Sequence, residues 1–303
     1  MNLNERLGYA PDARLLIINA DDFGMCRSAN AAVTQLLSEG VISSATIMMP
    51  CPWAKDAVEW CVRNPQADVG VHLTFTSEWE NYKWGPVTRG KPVSSLVTKE
   101  GYFPQDCLTF ERQAEAEQVR EEIAAQIELA RMMGLQPTHL DNHMGSLYGL
   151  QTGKHFLPMT LEICAQYGLP FRLPRRVPPN RDVPPEMIES ARQLSALSDS
   201  MGVAIIDDLV SLPYGVREGE TYADYKQAMI RLLRGLRTGL SELIIHPALV
   251  TEELKAIQPH WAKRGWDFDL FRDADIRKEL VEEGIRVINW RQLQQLQRQS
   301  NSK

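Results

Sequence analysis

Leu15-Leu16-Ile17-Ile18-Asn19-Ala20-Asp21-Asp22-Phe23-Gly24 carries an apolar run of strand length straight into two adjacent carboxylates. An unalternating aliphatic run with turn-forming residues after it reads as a strand buried on both faces, here 15–19, and such strands belong to parallel sheets covered by helices. An ionised carboxylate costs on the order of several kcal/mol to bury unless a cation or hydrogen-bond donors compensate it. A pair of them at the C-terminal end of a buried strand therefore calls for a metal, a proton-transfer role, or both.

Outward from this stretch the chain alternates short β-branched runs with amphipathic helical ones. Ser28 reads as the N-cap of a helix whose apolar face is Ala29, Ala32, Val33, Leu36 and Leu37 and whose stop is Gly40. Further strands are predicted at 42–49, 68–75, 138–142, 171–173, 203–206, 243–246 and 287–289, with helices at 53–63, 111–133, 160–167, 186–201 and 222–236. Seven or eight βα units in one chain favour a parallel (β/α) barrel of the α/β class over an open sheet, with 1–303 as a single domain. A loop-rich insertion at about 76–110 carries Trp79, Tyr82, Trp84, Gly85, Pro86 and Gly90, and its aromatic content argues for an ordered, functional loop. The Gln-rich end, 292–303, reads as a frayed tail.

Composition narrows the function. Net charge is −6, and no basic run extends beyond pieces such as Arg175-Arg176, so nucleic acid is excluded as a partner. The N-terminus has no apolar h-region and no segment reaches the roughly 18 apolar residues of a membrane span, so no membrane partner and a cytoplasmic location are expected. Five cysteines without a CxxC pair fit reduced thiols, which leaves histidines and carboxylates as the metal ligands.

Three of the six histidines fall at strand ends: His72 in Gly70-Val71-His72-Leu73, His143 in Thr138-His139-Leu140-Asp141-Asn142-His143, and His246 in Ile244-Ile245-His246-Pro247. In a (β/α) barrel, strand C-terminal ends share one mouth, so these histidines face the Asp pair. One Asp and two His on separate strands would hold a metal with positions open for water and substrate. Each residue also has a plainer role open to it: Asp as a cap, His72 as a hydrogen-bonded core residue. His139, separated by Leu140 from the Asp141 side of its strand, reads as structural, and His155 and His260 as surface residues. Asp22-Phe23-Gly24 matches the kinase metal-binding triplet, but no Gly-rich loop or His-Arg-Asp loop accompanies it, and no Gly-x-Ser-x-Gly elbow supports serine hydrolysis. Met25, Met48, Met49, Met132 and Met133 read as core fillers. On the long loop, Trp79 and Trp84 could stack on pyranose faces while Glu78 and Tyr82 bond hydroxyls.

Together, Ala20-Asp21-Asp22-Phe23-Gly24, Gly70-Val71-His72-Leu73, Thr138-His139-Leu140-Asp141-Asn142-His143 and Ile245-His246-Pro247 resemble the YdjC-like carbohydrate deacetylases, relatives of the polysaccharide deacetylases, over about 15–289. The resemblance implies a distorted (β/α) TIM-like barrel that removes an N-acetyl group from an amino sugar or small oligosaccharide with the aid of one divalent ion. It implies Asp22, His72 and His143 as metal ligands, Asp21 as catalytic base, His246 as acid, and Arg172 close to the substrate. Mg or Zn is the first expectation for the ion, with Mn, Co and Ni admitted by the mixed donor set. The implied partner is a small N-acetylated carbohydrate, and a homodimer is compatible with this. One departure is local: His143 is followed by Met144-Gly145, where family members often carry a second histidine. A metal-dependent phosphoesterase or another amidohydrolase on the same barrel, and a non-catalytic sugar-binding protein, are the alternatives.

Overall fold

The computed structural model describes residues 2–177 and 185–301. Its strands are β1 (Arg14–Phe23), β2 (Ser44–Ile47), β3 (Val69–Leu73), β4 (Leu140–Asn142), β5 (Asp208–Val210), β6 (Gly239–Ile245) and β7 (Arg286–Val287). They form one sheet in the order β4-β3-β2-β1-β6-β5, every pairing parallel. β1 is the central stave. One of its edges pairs with β6 from Arg14↔Gly239 to Ala20↔Ile245, while β7 meets the start of β1 and β2 its end.

Between β4 and β5, among the described residues, the sheet is carried only by the single bridges Leu140↔Phe171 and Pro174↔Ile206, which curl it into a distorted barrel. The strands expected at 171–173 and 203–206 are thus reduced to bridges, and β5 begins beyond the second of them. Proline supplies the reason: Pro170 and Pro174 have no N–H to give a ladder, and the Leu173 N–H turns back to the Phe171 carbonyl.

Side-chain alternation sorts each strand into two faces. On β1, Leu16, Ile18, Ala20 and Phe23 pack outward into the helical layer, whereas Leu15 and Ile17 point inward to a plug formed with Ile206, Leu240, Ile288, Trp290 and Leu293. That plug explains why the Gln-rich end is not frayed as expected. A helix covers Trp290–Asn301, with Leu293, Gln294 and Gln297 buried, and Gln297 accepts from the Ala204 N–H while Gln294 donates to the Pro137 carbonyl.

Other boundaries shift for local reasons. The first long helix is Arg27–Glu39, so Ser28 lies inside it instead of capping it. The Glu253 carboxylate takes the Ser28 N–H and hydroxyl, and Gly40 in the left-handed region ends the helix as expected. The helix expected at 111–133 is two, Cys107–Gln113 and Ala116–Met132, broken by extended backbone at Ala114 and Glu115. Met132 is 79% exposed and fills no core, unlike Met25, Met48 and Met49. All five cysteines are buried and free.

Between Leu73 and Cys107 the only helical turn is Ser94–Leu96. The long loop is nevertheless pinned to the barrel. Buried Glu122 accepts the N–H groups of Val87 and Thr88 at 3.0 Å each, and Gln126 bonds both backbone polar groups of Thr74. Among the described residues no helix is long and apolar enough to cross a membrane.

Gly70 on β3 admits no side chain. A Cβ there would lie 2.5 Å from the His139 carbonyl oxygen and 2.7 Å from its ring. Gly70→Ala should destabilise the chain by about 1–3 kcal/mol, as overpacking of a core does, measured as a lower urea midpoint with an unchanged m-value.

Candidate active site

The inward face continues above the plug and carries the chemistry. Asp21 on β1, His72 on β3, His139 and Asp141 around β4, Arg172 on the bridging segment and Glu242 on β6 all lie on this face, none more than 3% exposed. His139 and Asp141 are two residues apart and so share a face. Leu140 between them points outward, which corrects the expectation that it separated His139 from the Asp141 side.

Regular alternation would send Asp22 outward, away from Asp21. The register of β1 against β2 shifts between Ala20 and Phe23, and Asp22 takes φ 64, one of two non-glycine residues in the left-handed region among those described. This bulge turns two successive carboxylates to the same mouth. Asp, with a short polar side chain, tolerates that backbone better than most residues.

Asp22, His72 and His143 converge as expected. Asp22 Oδ1 lies 3.6 Å from His72 Nε2 and 3.3 Å from His143 Nδ1, and one donor atom from each residue lies within 4.8 Å of the others. Asp22 Oδ1 is buried and takes no hydrogen bond from any described residue. Both imidazoles are oriented from behind: His72 Nδ1 is 2.6 Å from Asp141 Oδ1, and His143 Nε2 is 3.0 Å from Glu78 Oε2. Carboxylates behind histidines direct the remaining nitrogen lone pair forward, the arrangement found around metal-ligating histidines. Burial opposes a proton on His143, but Glu78 and Asp22 outweigh it and push the imidazole up to about 10. A site that holds a proton this firmly has the negative surroundings a cation needs. The donor set and the orphaned carboxylate oxygen fit a divalent ion.

Burial pushes the Asp22 carboxyl up, yet Arg264 and His143 hold it well below the usual range. Arg264 Nη2 donates to Asp22 Oδ2 at 2.6 Å and, with Nε, to the Tyr214 hydroxyl at 2.7 and 3.1 Å. The Tyr214 ring packs edge-on to His246 and His260, with centroids 5.0 and 5.4 Å away, so His260 belongs to the rim of the site and not to the open surface. His155 is exposed, as expected.

Arg172 lies inside the site, against Asp21. Its guanidinium is buried, donating to Asp21 at 2.8 and 2.6 Å and to Glu242 at 3.0 and 2.9 Å, with Asp141 Oδ2 2.7 Å away. It clamps Asp21 through Nη1 and Nη2. Burial works against the Asp21 anion, but Arg172 and His72 keep its carboxyl far below the ordinary range. Asp21 Oδ2 also stands 3.8 Å from His72 Nε2, beside the candidate cation position.

His246 lies just past the end of β6, half-buried, with its backbone N–H on Asp267 at 2.8 Å and no hydrogen bond from its imidazole to any described residue. Burial lowers its proton affinity, with Asp22 and Asp21 opposing. Of the two tryptophans expected to stack on sugar, Trp84 is buried, its indole N–H on the Thr76 carbonyl at 2.7 Å and its ring against Tyr82 and His143. It offers no open face. The Tyr82 hydroxyl is spent on the Met25 carbonyl at 2.7 Å, and Glu78 backs His143, whereas Trp79 stays half-buried on the loop. Glu78 in this role, Asp141, Tyr214, Glu242 and Arg264 were not singled out from sequence. For Asp141 the period-two spacing from His139 to His143 was the available signal; Arg264 comes from a helix 242 positions from Asp22 and carries none.

Glu242 is the titratable oddity. Burial, opposed by Arg172 and aided by Asp141 and Asp21, lifts its carboxyl to about 7. A carboxyl raised in the folded state contributes stability that is full below its unfolded value, about 4.3, and is lost as pH rises through about 7. The melting temperature of the native chain minus that of Glu242→Gln should therefore fall between about pH 5 and pH 8, measured by calorimetry in matched buffers.

A family model described as YdjC-like protein matches residues 15–282. The chain belongs to the YdjC-like family. Among curated relatives, a carbohydrate deacetylase of Thermus thermophilus is 31% identical, covering 96% of this chain and 97% of its own length. A carbohydrate deacetylase of Thermoanaerobacter pseudethanolicus is 26% identical over 91% of this chain and 98% of its own. A solved structure from Enterococcus faecalis, named for cellobiose-phosphate cleavage, superposes with TM-score 0.73 at 24% identity, covering 93% of this chain and 99% of that one. That likeness shows the fold alone.

Proposed function

We propose that this chain hydrolyses the N-acetyl amide of an amino sugar or small oligosaccharide. The observation that carries the reading is Asp22 Oδ1, without a hydrogen bond from any described residue, close to two forward-directed histidine nitrogens, with the clamped Asp21 carboxylate beside them. The names of the relatives supply the carbohydrate. Asp22, His72 and His143 would hold one divalent cation, Mg or Zn first among those the mixed donors accept. When bound, such an ion supplies Lewis acidity to a carbonyl oxygen and to a water molecule.

Amide hydrolysis breaks a water O–H and the C–N bond and forms a C–O bond, and the departing nitrogen must be protonated because an amide anion is a very poor leaving group. Asp21, anionic and fixed by Arg172, takes the proton of the attacking water. His246, whose ring nitrogens bond no described residue, gives a proton to the nitrogen. Because burial weakens its hold on that proton, a protonated His246 is the stronger acid. Products are acetate and the free amine. Trp79, half-buried on the pinned loop, remains the aromatic face available to a pyranose ring. A phosphoesterase fits less well, since the guanidinium groups of Arg172 and Arg264 are already held by carboxylates.

The test is acetate release from a panel of N-acetylated mono- and disaccharides, with and without chelator. Release from at least one sugar, abolished by chelator and restored by added divalent ion, is expected; release unaffected by chelator would overturn the role of the cation, and none across the panel the assigned reaction.

A further inference from the structure

Beneath the Asp21–Arg172 pair lies a fully buried carboxyl that the reaction above does not use. Glu242 Oε1 sits against one edge of the Arg172 guanidinium, accepting from Nε at 3.0 Å and Nη2 at 2.9 Å, and it accepts from the Trp290 indole N–H at 3.3 Å. The neighbouring edge of the same guanidinium, Nη1 and Nη2, faces the two oxygens of Asp21 at 2.8 and 2.6 Å. A guanidinium is rigid and planar, so a contact on one edge fixes the direction of the other. The Tyr148 hydroxyl on the Arg172 carbonyl holds the backbone of that residue, but no other described group engages Nε.

Only one oxygen of Glu242 is committed. Among the described residues Oε2 has no partner, and neither has Nε2 of neighbouring His139. Thr138 gives its hydroxyl proton to Asp68 at 2.9 Å and so accepts the Nδ1 proton of His139 at 3.0 Å, which leaves His139 Nε2 a bare acceptor. Donor atoms of His139, Asp141 and Glu242 lie within 4.8 Å of one another, all three residues fully buried. The pocket therefore lacks a donor between Glu242 Oε2 and His139 Nε2, and the contact with Arg172 asks of Glu242 a single accepting oxygen, not a full negative charge.

We infer that Glu242, backed by Trp290, is a positioning residue: it sets the plane of the Arg172 guanidinium and thereby the direction in which Asp21 presents its carboxylate to the attacking water. The inference rests on the reading of Asp21 as the base. Misaligning a base while leaving ligands and substrate contacts in place lowers turnover and spares binding.

The experiment compares Glu242→Leu, Glu242→Gln and Asp21→Asn as cation-loaded enzymes on a sugar that the native protein deacetylates. Glu242→Leu should lower kcat about thirtyfold, with KM within about twofold and the cation stoichiometry unchanged. Glu242→Gln keeps the accepting oxygen and offers the N–H that His139 lacks, so its kcat should stay within about threefold of native. If leucine does not fold there, the unbranched Glu242→Met makes the same cut. Full activity in Asp21→Asn would sink the reading of the base. An inactive Asp21→Asn beside an unchanged kcat in the apolar variant, a loss shared equally by KM and cation content, or a glutamine variant as slow as the leucine one would each overturn the role of Glu242 alone.

Discussion

Replacing Asp21 by Asn should leave the cation content of the protein intact and lower deacetylation by two or more orders of magnitude, about 2.7 kcal/mol or more in the barrier. The geometry makes this a clean cut. Asp21 donates no ligand atom that the Asp22–His72–His143 group requires, yet it stands beside that group and is oriented by two guanidinium nitrogens. Asn keeps the shape and one accepting oxygen for Arg172 while removing the proton acceptor. Steady-state rates on loaded protein, with elemental analysis of the same samples, check it; undiminished activity would remove Asp21 from the mechanism.

His72→Ala or His143→Ala should do the opposite and strip the cation. Each removes one of three protein donors, and the loss should exceed the roughly 10- to 100-fold in affinity that disturbing an outer partner costs. Asp141→Asn provides that milder comparison, since Asp141 stands behind His72 and is not one of the three donors. Elemental analysis after dialysis against limiting metal decides: unchanged stoichiometry in either alanine variant would exclude that histidine as a ligand. The two substitutions also differ in how they treat the vacated space. His72 is buried among Asp21, Asp22 and Asp141, so its loss leaves three carboxylates facing one another, and a lower melting temperature should accompany the lost cation.

Much of this arrangement was legible from residue order because strand ends of a (β/α) barrel share one mouth. That rule alone gathers Asp22, His72, His143 and His246 without any local motif, and the aliphatic run 15–19 marks the central stave. What escaped was whatever depends on direction or on distant elements. A strand argument gives no sign that Asp22 would enter the left-handed region, although without that bulge the two carboxylates would point to opposite faces. The resemblance implies Arg172 near the substrate, but nothing in residue order shows that three carboxylates, Asp21, Asp141 and Glu242, gather around it. Trp84 read as a sugar platform because loops present aromatics, but its indole N–H found a backbone carbonyl and the ring sank into the rim. The Gln-rich end read as frayed because polar composition hides the two apolar residues, Trp290 and Leu293, that close the barrel floor.

The bulge at Asp22 also governs how the protein can be arrested for crystallography with a sugar bound. Most substitutions at this position would meet two demands at once, loss of a donor and a backbone angle that a branched or bulky side chain resists. Asparagine tolerates the same angle and retains one oxygen for Arg264, so Asp22→Asn should weaken the hold on the proposed cation while leaving the mouth of the barrel in its working shape. A binding-competent but idle form of the protein is therefore to be sought first at this residue, where the chain's own conformation dictates which replacement it will accept.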